Sequence, residues 1–177
     1  MQQIMKVFAA TVVIAASGCA TLPESGYTQI APVPPPSESY QRPPAVPFDR
    51  SDYAITLQQM SSFYDVPGEA GFLFNGGDYG FESLSFIMTE TQPGGGPPLH
   101  KHDTEEAHVV YFGQTEYVIG DRRFKVKAPY VVRIPAGVPH TFINVGAGPI
   151  NVTGVFPTKL HSYTEIGPNP LVPGAGR

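Results

Sequence analysis

The chain has 177 residues, a length that suits one domain with appendages. Hydrophobic residues make up 41 %, enough for a packed core, while only 15 % are charged and the formal net charge is −4. The 11 Lys and Arg residues form no basic stripe to neutralise phosphates, which argues against nucleic acid as a partner.

The first predicted element is a targeting segment, residues 1–18. Lys6 supplies a positive start, and Val7 to Ala16 is apolar but too short for a bilayer-spanning helix of about 20 residues. Ala16-Ser17-Gly18-Cys19 follows. This stretch resembles the lipobox of bacterial lipoprotein signal peptides, although Leu is commoner where Ala16 stands. The resemblance implies lipidation at Cys19. It is the sole cysteine, so no internal disulfide can form. An ordinary signal peptide with a chance cysteine is the plainer alternative. Anchoring by more than one acyl chain is stable. Ala20 in place of Asp implies, by the sorting rule of Gram-negative lipoproteins, the periplasmic face of the outer membrane.

Residues 19–50 read as a tether. Pro23, Pro32, Pro34, Pro35, Pro36, Pro43, Pro44 and Pro47 leave little to bury and favour extended polyproline II. A folded body follows over 51–166, then a loose tail over 167–177. In the body, short apolar runs with period-two alternation are broken by turn residues. Strands are predicted at Tyr53–Met60, Gly71–Phe74, Phe81–Thr91, Glu106–Phe112, Glu116–Ile119, Arg122–Val126, Tyr130–Ile134, Thr141–Asn144 and Asn151–Phe156. Gly120-Asp121 sits between two of them as a tight hairpin. No stretch has a capped 3.6-residue period. Gly (19) and Pro (20) are abundant, and the predicted class is all-β, a sandwich or jelly roll.

Three of the five histidines fall within HKHDTEEAH, residues 100–108. In a strand, His100 and His102 share a face and Lys101 takes the other. Glu106 opens the next apolar run and can turn back toward them. Pro135 and Gly137 make a bend, after which His140 enters a strand. Three imidazoles and one carboxylate converging inside a barrel would make a metal site.

These residues resemble the two motifs of the cupin superfamily. Gly94, His100, His102, Glu106 and Gly113 match the first, and Pro135, Gly137, His140 and Asn144 the second. Pro129 stands where the second motif would begin with glycine. The resemblance covers about Leu84 to Phe156. It implies a double-stranded β-helix jelly-roll barrel with a metal on His100, His102, Glu106 and His140. Imidazole and carboxylate suit a divalent transition metal, Fe, Mn, Ni, Cu or Zn. Four protein ligands leave open positions for a chelating small molecule. Cupins also include homodimers formed by strand exchange.

Other residues carry weaker expectations. Alternation points Glu105 outward, and His161 reads as a surface residue. His108 falls on the inner face with Glu106, as a proton shuttle or a packed histidine. Glu106 and His108 are therefore the candidate acid–base groups. Tyr79, Phe86, Met88, Phe112, Tyr117 and Phe142 are candidates for the pocket lining. Two functions are consistent with this reading. One is an envelope-anchored, metal-dependent oxygenase acting on a small phenolic or other chelating compound. The other is a module that binds a small ligand or the metal without turnover.

Overall fold

The computed structural model describes residues 31–32 and 35–173. The predicted signal peptide, Cys19 and the first part of the predicted tether, residues 19–30, lie outside the described residues, as do residues 33–34. The described residues form an almost purely β structure of twelve strands. In chain order these are β1 (Tyr40–Arg42), β2 (Ser61–Asp65), β3 (Glu69–Phe74), β4 (Ser85–Thr91), β5 (Leu99–Lys101) and β6 (Glu106–Val110). Then come β7 (Gln114–Ile119), β8 (Arg122–Lys127), β9 (Tyr130–Ile134), β10 (His140–Asn144), β11 (Ile150–Phe156) and β12 (Thr164–Gly167). One sheet has the order β1-β2-β3-β4-β11-β6-β9 and the other β12-β5-β10-β7-β8. All these pairings are antiparallel. Two antiparallel sheets joined by such crossovers are the jelly roll expected from the sequence. No helix among the described residues is long and apolar enough to cross a membrane.

Alternation decides which face each strand buries. Along β11 every second residue, from Ile150 to Phe156, is buried, and β6 alternates in the same way. Val110, Tyr117, Val132, Ile134, Phe142, Ile150 and Val152 close one end of the barrel. That leaves the inward positions nearer the other end free for polar work. The hairpin at Gly120 forms as predicted, with φ of 58° at Gly120 and Ile119 opposite Arg122.

Several elements differ from the sequence expectation. No strand forms over Tyr53–Met60. Gln59 folds back to accept from the Thr56 backbone N–H at 2.8 Å, and a short 3-10 turn, Leu57–Gln59, replaces the extended run. The strand lies just beyond it, in β2. The predicted Phe81–Thr91 strand begins only at Ser85, and β6 ends at Val110, leaving Tyr111 and Phe112 exposed. The end of the predicted tether is part of the sheet: β1 pairs with β2, and Tyr40 stacks on Tyr64. The predicted tail is likewise anchored, since Asn169 is buried and donates to the carbonyls of Pro97 (2.8 Å) and Phe142 (2.9 Å).

Candidate metal centre

Two strands and two turns assemble the polar end of the barrel. His100 on β5 lies directly opposite His140 on β10. His102 leaves the end of β5, and Glu106 begins β6. The two turns are latched together: Gly137 N–H donates to the His102 carbonyl at 2.7 Å. Gly94 and Asn144 are tied as well, because Gly94 N–H donates to the Asn144 carbonyl at 2.8 Å. The motif residues therefore hold one another in place through the backbone.

His100, His102, Glu106 and His140 converge, with one ligating atom of each lying within 4.8 Å of all the others. All four are buried. The orientation of each imidazole is fixed from behind. His100 Nδ1 faces the Pro98 carbonyl at 2.8 Å and His140 Nδ1 the Val138 carbonyl at 2.9 Å. His102 Nδ1 is tightly bonded to the Ser162 carbonyl. A carbonyl only accepts, so each Nδ1 carries the proton and each Nε2 presents a lone pair. His140 Nε2 then stands 3.1 Å, and His102 Nε2 3.4 Å, from Glu106 Oε2. His102 Nε2 has no hydrogen-bond partner. Lone pairs facing a carboxylate in a buried site require a shared positive charge. The donor set is hard-to-borderline, with imidazole and carboxylate and no thiolate, so the cluster suits a divalent transition metal.

The titration behaviour agrees with that donor set. Burial, then the neighbouring His140, pushes His100 down to about 3, so it stays neutral and ligand-competent. Burial also lowers His102. For Glu106 burial acts upward, but His108, His140 and His102 outweigh it and hold the carboxyl well below its ordinary value. Gly154 on β11 makes room for that carboxylate, since a Cβ there would stand 2.5 Å from Glu106 Oε1.

His108 is buried beside the cluster. Its Nε2 lies 3.0 Å from Glu106 Oε1 and its Nδ1 3.2 Å from the Tyr117 hydroxyl. Tyr117 continues to Tyr130 at 3.4 Å, and Tyr130 to Thr115 at 2.6 Å. Glu106 is thus backed by a chain of hydroxyls running into the core. Glu105 is exposed, as alternation predicts.

A cavity of about 530 Å³ opens from the cluster. His100, Glu106 and His108 line its inner end, and Asp65, Glu69, Thr89, Asn75, His161 and Tyr163 line its polar walls. Of the aromatic and Met candidates named from the sequence, only Phe142 lines it. Tyr117 is fully buried in the core and Phe112 is exposed. Tyr79 packs flat on Phe74, and Phe86 contacts Phe74 on the opposite face of β4 from the lining residues Ile87 and Thr89. His161 is not a surface residue. Its ring stacks on Phe156 with centroids 5.1 Å apart, and its Nδ1 lies 2.8 Å from Asn75 Oδ1. Glu69 and Tyr163 were not singled out from the sequence, because neither falls in a motif.

Residues 87–166 match the family described as Cupin domain. Solved structures share its fold. Lactobacillus farciminis oxalate decarboxylase in its formate complex aligns with TM-score 0.56 at 22 % identity, over 60 % of this chain and 33 % of that one. A variant of Bacillus subtilis oxalate decarboxylase aligns with TM-score 0.54 at 17 % identity, over 58 % and 29 %. A further structure of the Bacillus subtilis enzyme, which has Mn(II) centres, aligns equally well. This chain therefore spans about a third or less of those enzymes' length, and at these identities the likeness is one of fold. No curated protein matches in sequence.

Proposed function

We propose that the chain is a metal-binding cupin whose ion is held by His100, His102, Glu106 and His140. We further propose that it acts as an oxygenase on a small phenolic or other chelating compound. The observation that carries the metal reading is the common aim of the three Nε2 lone pairs, each fixed by a carbonyl behind the ring, at one ionised carboxylate. A bound divalent ion would supply Lewis acidity toward a chelating substrate. The chain's own residues do the rest. Glu106 neutralises charge and, through Oε1, meets His108, which can hold a proton between Glu106 and Tyr117. Phe142, Val152 and Ile87 give the cavity an apolar lining beside the cluster. Lipidation at Cys19 would place this barrel at the periplasmic face of the outer membrane, beyond a proline-rich spacer.

A second reading rests on a specific observation. Both ring nitrogens of His108 already have partners, so His108 offers the cavity no unengaged nitrogen. A module that captures a small ligand without turnover fits that arrangement.

Elemental analysis of the purified wild type separates metal binding from a purely hydrogen-bonded cluster. His100→Ala, His102→Ala and His140→Ala should each lose most of the metal, Glu106→Gln part of it, and Glu105→Gln none. A wild type that holds no divalent metal under replete conditions sinks the metal reading. Oxygen uptake by the loaded protein against a panel of catechols then separates oxygenase from binder.

A further inference from the structure

The cavity wall facing away from the metal cluster has a composition that selects its ligand. Three carboxyl groups line the cavity, Asp65, Glu69 and Glu106, and no described lining residue is Lys or Arg. Arg42, next in sequence to the lining residue Gln41, is exposed and its guanidinium lies over the Tyr40 ring. Glu69 is buried and opens β3, where it lies opposite Asp65 on β2 and Thr91 on β4. Its Oε1 accepts from Thr91 Oγ1 at 3.4 Å, and Thr89 also bonds the carboxyl. Two hydroxyls are weak support for a carboxyl at this depth, and two carboxyls opposed across a ladder without a cation destabilise it. Local rules broken in this way mark functional positions.

Tyr163 joins this wall to the metal cluster. Its ring stacks on His100 with centroids 4.7 Å apart, and its hydroxyl feels the charges of Asp65, Glu165 and Glu69. The acid pair and the candidate metal ligands therefore address one ligand from two ends.

Resting on the metal reading, we propose that Glu69 and Asp65 are specificity residues that select a ligand with a metal-chelating oxygen pair at one end and a hydrogen-bond-donating, preferably cationic, group at the other, and reject dianions. A second carboxylate on the ligand would meet Asp65 and Glu69 on a wall that carries no Lys or Arg, whereas an ammonium would find two carboxyl acceptors there. Burial, then the neighbouring Asp65, raises Glu69 to about 8, so it retains a proton until a cation displaces it.

Three catechols that differ only at the far end test this: 4-(2-aminoethyl)catechol, catechol and 3,4-dihydroxyphenylacetate. Their dissociation constants are measured by calorimetry on the full-length protein, after its metal content has been determined. The amine should bind about tenfold tighter than catechol, and the acetate about tenfold weaker. Glu69→Gln should remove the amine's advantage while leaving metal content unchanged. Asp65→Asn, at a more exposed position, should reduce it. Equal binding of amine and acetate by metal-loaded protein overturns the proposal alone. So does binding of none of the three, or an amine preference that survives both substitutions. A wild type without metal overturns the metal reading, and this inference with it.

Discussion

Gly154 lies opposite His108 in the β6–β11 ladder and occupies the space behind the Glu106 carboxylate. In Gly154→Ala the new methyl would push Oε1 aside and misalign Oε2 against His140 and His102. Metal affinity should fall by about tenfold or more, as it does when groups orienting a ligand are disturbed, while the fold persists. Chelator competition checks this, and an unchanged affinity would show that the carboxylate tolerates the shift. Glu69 carries a pH dependence of definite sign. Its folded value is raised from 4.5 to about 8, so between these values the folded chain keeps a proton that the unfolded chain has lost. Its contribution to stability is present below the lower value and disappears as pH rises through the upper one. The groups around it are Asp65 on β2, Thr89 and Thr91 on β4 and Glu106 on β6, and Asp65 is itself raised by burial. The metal-free wild type should therefore lose Tm between about pH 5 and pH 9 more steeply than Glu69→Gln. Thermal melts across that range would reveal it, and parallel curves would remove Glu69 as the source. At this scale the cluster residues were legible because spacing within each motif fixes which side chains share a face. Glu69 and His161 were not. The inward aim of Glu69 depends on the pairing of β3 with β4, and that of His161 on stacking against Phe156, and neither leaves a local pattern.

Among the elements, the apolar, alternating strands β6, β9, β10 and β11 could be read almost to their ends. The three-residue strand β5 could not, because it has no apolar alternation and exists through pairing with β10 and β12. The Tyr53–Met60 run has the composition of a strand but closes locally through Gln59. The C-terminal segment beyond β12 reads as a tail by composition, yet Asn169 binds two carbonyls at once, Pro97 ahead of β5 and Phe142 within β10. It therefore staples the two strands that carry His100 and His140. Asn169→Ala should remove a hydrogen bond from each carbonyl, leaving Thr141 Oγ1 as the side-chain donor near both, and cost about 1–3 kcal/mol of stability for the two bonds. Urea unfolding measures that loss. A change under about 0.5 kcal/mol, the range of ordinary surface substitutions, would mean that water replaces the side chain.

For the whole molecule, the proposed division is a barrel carried on a lipid anchor. Cys19→Ala should release the protein from the membrane fraction with its metal content intact, because the four candidate metal ligands all lie in the barrel. A Cys19→Ala protein that still matures and fractionates with the outer membrane rules the anchor out. The described strand β1, which lies where the proposed tether meets the barrel, helps wall the cavity through Tyr40 and Gln41. Finally, the direct pairing of His100 with His140 has a kinetic consequence. The two are contributed by segments far apart in sequence, and closing the chain between them costs entropy before any reward is collected. An unfolded chain offers an ion only the local group His100, His102 and Glu106, and His140 joins them when β10 pairs with β5. The four-ligand site is thus complete only once the barrel has closed, and a bound ion's full influence falls on how slowly that barrel reopens.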